Sequence, residues 1–199
     1  MTTPSSPTAA SRAHFEQLYR QDADPWQVGS RWYERRKRAL VLAALPRERY
    51  GHVLDAGCGT GDTAFALAER CDELLAVDYS RQAVSRLQAR LAGHPMGHLS
   101  VACMDLTGHW PSRRFDLIVV SELAYYFSPA QAQSFIARCQ AGLAPGGELA
   151  MCHYLPDFDD RQVDTETLHG YVNACHGLQP SVAYRDRDCL LYTSPSPRD

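Results

Sequence analysis

The chain has 199 residues, 45% of them apolar and 22% charged, with a formal net charge of −3. That length suits one domain whose core needs no disulfide or metal staples. The charge balance leaves no broad basic surface for nucleic acid or an anionic membrane.

No apolar stretch reaches transmembrane length. Residues 1–12 are rich in Pro, Ser and Thr and lack the basic-then-apolar order of a secretory signal, which predicts a disordered leader to a single domain over 13–188. Seven cysteines are scattered, with no C-x-x-C pair and no zinc spacing with histidine. They predict reduced, mostly buried thiols in a cytoplasmic protein and no metal site.

In chain order, a helix is expected over 11–20, stopped by Asp22, Asp24 and Pro25, with Trp26 in the following loop. A second helix is expected over 31–45, closed by Pro46. Arg35, Arg36, Lys37 and Arg38 form its basic face, and Leu40, Val41 and Leu45 its apolar one. The two make an N-terminal helical cap over 13–46. Short apolar runs at 52–55, 73–77, 99–104, 115–120 and 147–153 then alternate with helical stretches at 62–70, 81–91, 129–141 and 163–175, and a sixth strand starts near Ser181. This alternation predicts a doubly wound, mainly parallel α/β sheet with ligands at the carboxyl ends of its strands. Gly146 and Gly147 predict a turn directly before the fifth strand.

Residues 189–199, CLLYTSPSPRD, are Ser/Pro-rich and closely resemble the translation of a common transposase sequencing adaptor. They predict a non-native tail outside the fold and a natural chain that continues past Asp188. The sheet would then be truncated, without most of its last hairpin and with an uncovered edge. The alternative is a natural disordered tail.

The segment from Val53 to Gly61, VLDAGCGTG, is a strand followed by a glycine-rich turn. Gly57, Gly59 and Gly61 let the backbone turn sharply and approach a ligand. A dinucleotide fingerprint would need its third glycine at Asp62, and an acid, Asp55, precedes the turn. This D-x-G-x-G-x-G form resembles the first motif of class I methyltransferases, which have a Rossmann-like fold. The resemblance implies that the backbone of Ala56, Gly57, Cys58, Gly59 and Gly61 cradles the methionine part of S-adenosylmethionine. Asp78 ends the second strand, about 20 residues on, where a carboxylate accepts from ribose hydroxyls. Tyr79 beside it is placed to stack on adenine. Met104, Asp105 and Leu106 end the third strand, and the acid resembles the family's contact to the adenine amine. Ser121 and Glu122 end the fourth strand, the floor of the active site in that family. Asp55 as a helix cap and Asp105 as a turn residue are the plainer alternatives.

Residues 14–46, HFEQLYRQDADPWQVGSRWYERRKRALVLAALP, together with SELAYYF at 121–127 and the His153-Tyr154 pair, resemble the nodulation protein S family. Its namesake methylates the free amine of a partly deacetylated chito-oligosaccharide. The resemblance implies N-methylation of an amine on a small molecule or oligosaccharide, by a monomer or weak homodimer. Methylation at oxygen or carbon, or a non-catalytic binding protein, are the alternatives, and a nicotinamide-dependent oxidoreductase is the rival on a similar sheet.

An amine acceptor must be neutral to have a lone pair, so a carboxylate or imidazole is wanted nearby. Glu122 is the first candidate as amine binder or base and His153 the second, on adjacent strand ends. The alternatives are a supporting structural acid and a core-edge histidine. Tyr125 and Tyr126 are placed to wall the acceptor site. Tyr33 and Arg36, one helical turn apart, could close over the cofactor and bind its carboxylate, with a solvated basic face as the alternative. Trp26 and Trp32 are candidates for lid packing.

Overall fold

The computed structural model describes residues 12–197. The predicted leader over 1–12 thus lies outside the described residues except for Arg12, which opens α1 (Arg12–Gln21). Phe15 and Tyr19, four residues apart, form the buried face of that helix. The second helix, α2, runs from Trp32 to Ala44.

The remaining elements are β1 (Tyr50–Ala56), α3 (Asp62–Ala68), β2 (Cys71–Asp78), α4 (Arg81–Gly93), β3 (Leu99–Cys103), β4 (Phe115–Ser121), α5 (Pro129–Gly142), β5 (Leu143–Tyr154), α6 (Thr165–Ala174), β6 (Val182–Arg185) and β7 (Cys189–Pro195). A 3-10 turn, Ala124–Tyr126, links β4 to α5. The strands form one sheet in the order β3-β2-β1-β4-β5-β7-β6. The first five are mutually parallel, and β7 is antiparallel to both its neighbours.

The pleat sends alternate side chains to opposite layers. Leu54, Ile118 and Val120 face a core shared with Phe135 and Ile136 of α5. Val53, Leu117 and Val119 face a second core shared with Val41 of α2, Leu67 of α3 and Leu87 of α4. Both faces of the central strands are therefore dry, which explains their unbroken apolar runs. Chain order reverses between β1 and β4, so a crevice opens at the carboxyl ends of those strands.

Two expectations are corrected. The turn at Gly146 and Gly147 lies inside β5, where the pairing jumps from Phe115↔Leu143 to Leu117↔Glu148. More importantly, the residues expected to form a tail outside the fold make a strand. β7 pairs with β5 from Tyr154↔Cys189 to Glu148↔Pro195, and with β6 on its other side. The sheet is not cut short at β5. The Ser/Pro bias of this segment masks CLLYT, an apolar, β-prone run that covers an otherwise open edge of β5. Cys189, Leu190 and Leu191 are all buried in consequence.

Candidate active site

At the end of β1 the chain passes through three left-handed glycines, Gly57 (φ 79°), Gly59 (φ 52°) and Gly61 (φ 94°). A Cβ on Gly57 would meet Leu123 at 3.0 Å, and one on Gly61 would meet Leu87 at 2.3 Å. The loop needs glycine for conformation and for space. Its position is set from β2: Gly57 N–H and Cys58 N–H both donate to the Val77 carbonyl, at 2.8 and 2.9 Å. Asp78 completes the tie, accepting from Gly59 N–H at 3.0 Å and from Ser80 N–H at 2.8 Å.

Beside this loop lies a cavity of about 340 Å³, a size that suits a small-molecule cofactor. Gly57, Cys58, Gly59, Asp55, Asp78 and Tyr79 line one side of it. Met104, Asp105 and Leu106 after β3, and Ser121, Glu122 and Tyr125 after β4, line the others. Ala56 is buried beneath the loop, and Gly61 is packed on Leu87. Asp105 also serves as the turn residue, accepting from Thr107 N–H at 2.9 Å.

Asp55 is buried, and its Oδ2 has no hydrogen-bond partner. Burial first, and Asp78 second, push its carboxyl up to about 7. Burial lifts Asp78 to about 6 against the backbone N–H groups that favour its charged form. An unpartnered carboxylate oxygen on the cavity wall beside a glycine cradle fits a ligand carrying hydrogen-bond donors. S-adenosylmethionine, with its amino group and ribose hydroxyls, is such a ligand.

The roof is α1 and the loop after it. The Phe15 ring bridges Tyr79 at 5.7 Å and Tyr126 at 4.8 Å between centroids, and Trp26 stacks behind it at 5.9 Å. Arg86 of α4 clamps the carbonyls of Tyr19 and Asp22, and Arg81 N–H donates to Glu16 at 2.6 Å. Trp26 lines the cavity as lid packing would require, whereas Trp32 is 68% exposed.

Glu122 sits at the end of β4 with φ 55°, a left-handed conformation that costs a non-glycine residue on the order of 1 kcal/mol or more. Its carboxylate is held from four directions. Tyr33 Oη donates to Oε1 at 3.1 Å, Lys37 Nζ lies 3.4 Å from the same oxygen, Tyr125 Oη donates to Oε2, and Tyr154 N–H approaches Oε2 at 3.4 Å. Lys37 is in turn bonded to Glu34 at 2.6 Å. The expectation of a solvated basic face on α2 therefore fails at Lys37, whose side chain is only 5% exposed. Burial opposes its charge, but Glu122 and Glu34 outweigh burial and raise its pKa. Burial raises Glu34 in spite of Lys37.

Three further predicted site residues lie off the cavity lining: Tyr33, whose hydroxyl is taken up by Glu122, Arg36 and His153. Arg36 reaches away from the cavity to Tyr184 Oη at 2.7 Å and to Asp186, pinning α2 to β6 and the loop after it. The helical turn that separates it from Tyr33 leaves the two with different partners. His153 is fully buried on the α6 side of β5. Its Nε2 accepts from Ala124 N–H at 3.2 Å, and its Nδ1 meets His169 Nε2 at 3.1 Å. Burial, with Lys37 and Arg161, drives its pKa down to about 3. It is a neutral core histidine that holds the 3-10 turn in place, and it is not on the cavity lining. Sequence reasoning missed Glu34 and Lys37. The i,i+3 spacing of acid and base on α2 was the signal available.

A methyltransferase-domain family profile matches residues 53–147. Nodulation protein S of Rhizobium tropici is 30% identical over 128 residues, covering 63% of this chain and 53% of the relative. That of Bradyrhizobium diazoefficiens is 33% identical over 104 residues, covering 52% and 49%. The chain thus spans about half the length of the curated relatives it matches. Among solved structures, a putative methyltransferase from Pseudomonas syringae is 40% identical with a TM-score of 0.71, covering 83% of this chain and 99% of that one. The N-methyltransferase NodS from Bradyrhizobium japonicum WM9, in complex with S-adenosyl-L-homocysteine, is 25% identical with a TM-score of 0.82, covering 94% and 99%. These matches decide between the methyl-donor and nicotinamide readings of the glycine loop: the chain belongs to the class I S-adenosylmethionine-dependent methyltransferases and resembles NodS among them.

Proposed function

We propose that the chain methylates the nitrogen of an amine on a small molecule or glycan, with S-adenosylmethionine as the donor. The observation that carries this is Glu122, an anion fixed at the end of β4 in the same cavity as the glycine cradle. The likeness to NodS, an N-methyltransferase, supports it.

When bound, the cofactor supplies a methyl group already activated on a sulfonium. The protein's part is to hold, orient and exclude water. Asp78 would accept from the ribose hydroxyls, and Tyr79 and Leu106 would flank the adenine. Asp55 Oδ2 would accept from the amino group. Phe15 and Trp26 keep water out from above. Glu122 would bind the acceptor nitrogen. With four donors already on its two oxygens, it acts as a fixed anion that favours positive charge developing on nitrogen, more than as a proton sink.

Labelled S-adenosylmethionine, offered with paired amine and alcohol acceptors, tests the reading. Label is expected in the amines, and transfer to alcohols alone would sink it. Asp78→Ala should weaken S-adenosylhomocysteine binding at least tenfold, about 1.4 kcal/mol by calorimetry. Unchanged affinity would contradict the ribose assignment.

A further inference from the structure

The buried charges of the wall around Glu122 do not cancel one another; the exposed Arg31 acts on Glu34 only from the solvent side. Glu34, Lys37 and Glu122 lie in a row, with Lys37 Nζ at 2.6 Å from one carboxylate and 3.4 Å from the other. Two anions and one cation leave one negative charge. Glu34 and Lys37 are buried and Glu122 is 21% exposed, so water reaches only the Glu122 end of the row. All three side chains line the cavity. The other cation on the lining, Arg12, is across the cavity against Cys103 Sγ at 3.5 Å and does not offset the row. Tyr33 and Tyr125 donate to Glu122, Tyr126 packs edge-on against Tyr125, and the Lys37 ammonium already lies 5.2 Å from the Tyr33 ring centroid. Carboxylates among aromatic faces favour an organic cation. A buried excess charge is costly until a counter-charge arrives.

We propose that Glu34, Lys37 and Glu122 are the specificity-determining wall of the acceptor site, and that it takes the acceptor as an alkylammonium monocation in preference to neutral alcohols. The inference rests on the amine reading above and goes further. It names the charge state that is recognised on binding; the bound ammonium then loses one proton to solvent, which frees the nitrogen lone pair that forms the new N–C bond as the methyl–sulfonium bond breaks. It also assigns a selective role to Glu34, which sits behind Lys37. Lys37 alternates the charges, so that two carboxylates can share one wall without repelling each other. An incoming ammonium beside Glu122 extends the alternation to four charges and brings their sum to zero.

The test is calorimetric binding of n-hexylamine against hexan-1-ol at about pH 8, where an alkylamine, like a lysine side chain, still carries its proton. Both are titrated into the apoprotein and the S-adenosylhomocysteine complex. Wild type is expected to prefer hexylamine by at least about tenfold. Glu34→Gln removes the excess charge while leaving Glu122 and its tyrosines in place, and should lower that preference to about threefold or less, with S-adenosylhomocysteine affinity unchanged. Glu122→Gln should do the same by a direct route, and covers the case in which the Glu34 variant fails to fold. Equal binding of amine and alcohol by wild type overturns the proposal, as does a full preference retained in either folded variant. A protein that prefers hexylamine but ignores S-adenosylhomocysteine would support the wall and overturn the cofactor reading alone.

Discussion

At Asp55, folding and ligand binding pull in opposite directions. Its carboxyl is pushed up to about 7 and that of Asp78 to about 6. Both are acids raised on folding, so between about pH 4 and 7 the native chain holds more protons than the unfolded one. The stability they contribute is complete below about pH 4 and is lost as pH rises through 7. Asp55→Asn removes the charge but keeps the shape. It should stabilise the apoprotein at about pH 8 by on the order of 2 kcal/mol and flatten the pH dependence of its melting temperature, while weakening S-adenosylhomocysteine binding. An Asn variant that melts at or below wild type at that pH contradicts the assignment. At Glu122 the expectation is a different split. Glu122→Gln should lower kcat on the order of 100-fold and leave S-adenosylhomocysteine affinity within about threefold. Near-normal kcat would remove Glu122 from the acceptor site. The glycines at 57, 59 and 61 and the acids at 55 and 78 were legible in the sequence, because a left-handed turn and a strand-end carboxylate each restrict residue type. Lys37 was not. In the run RRKR a buried cation looks like its solvated neighbours, and only the folded position of Glu122, 85 residues on, singles it out.

The same contrast appears among the elements. α2 carries one edge to Glu122 through Tyr33 and Lys37, with Glu34 behind Lys37, and another to β6 and its following loop through Arg36. The two predicted partners on this helix, Tyr33 and Arg36, therefore separate. The 3-10 turn Ala124–Tyr126 depends on β5 in a way that spacing does not reveal. With Nε2 of neutral His153 accepting from Ala124 N–H, the ring proton sits on Nδ1 and goes to His169 Nε2. His153→Leu leaves a buried N–H unpaired and should cost about 1–3 kcal/mol, read as a lower melting temperature. Wild-type kcat should show no break near pH 6.5 from this residue, since burial holds it at about 3. A kinetic pKa near 6.5 that disappears in His153→Leu would return the imidazole to the chemistry. The strands at 52–55 and 115–120 were readable because burial on both faces leaves an apolar run.

For the whole molecule, the parallel sheet and its crevice follow from the alternation of runs, but β7 was hidden by composition. Among the described residues no helix is long and apolar enough to cross a membrane. A chain ending at Asp188 would lose the strand that pairs with both β5 and β6. It should fail to melt cooperatively and should bind a hydrophobic dye, since the lost burial and pairing rival the roughly 5–15 kcal/mol that holds a domain together. A sharp, wild-type-like melt would show that β7 is dispensable. The place of β7 also has a consequence in time. It enters the sheet between two strands made before it, and β6 touches the sheet only through it. During synthesis β5 must therefore wait with one edge unpaired until residues 189–195 emerge, and β6 cannot dock in advance. A ribosome pausing anywhere between Tyr154 and Cys189 would hold out a bare, apolar strand edge, an interval in which a chaperone would have to cover it.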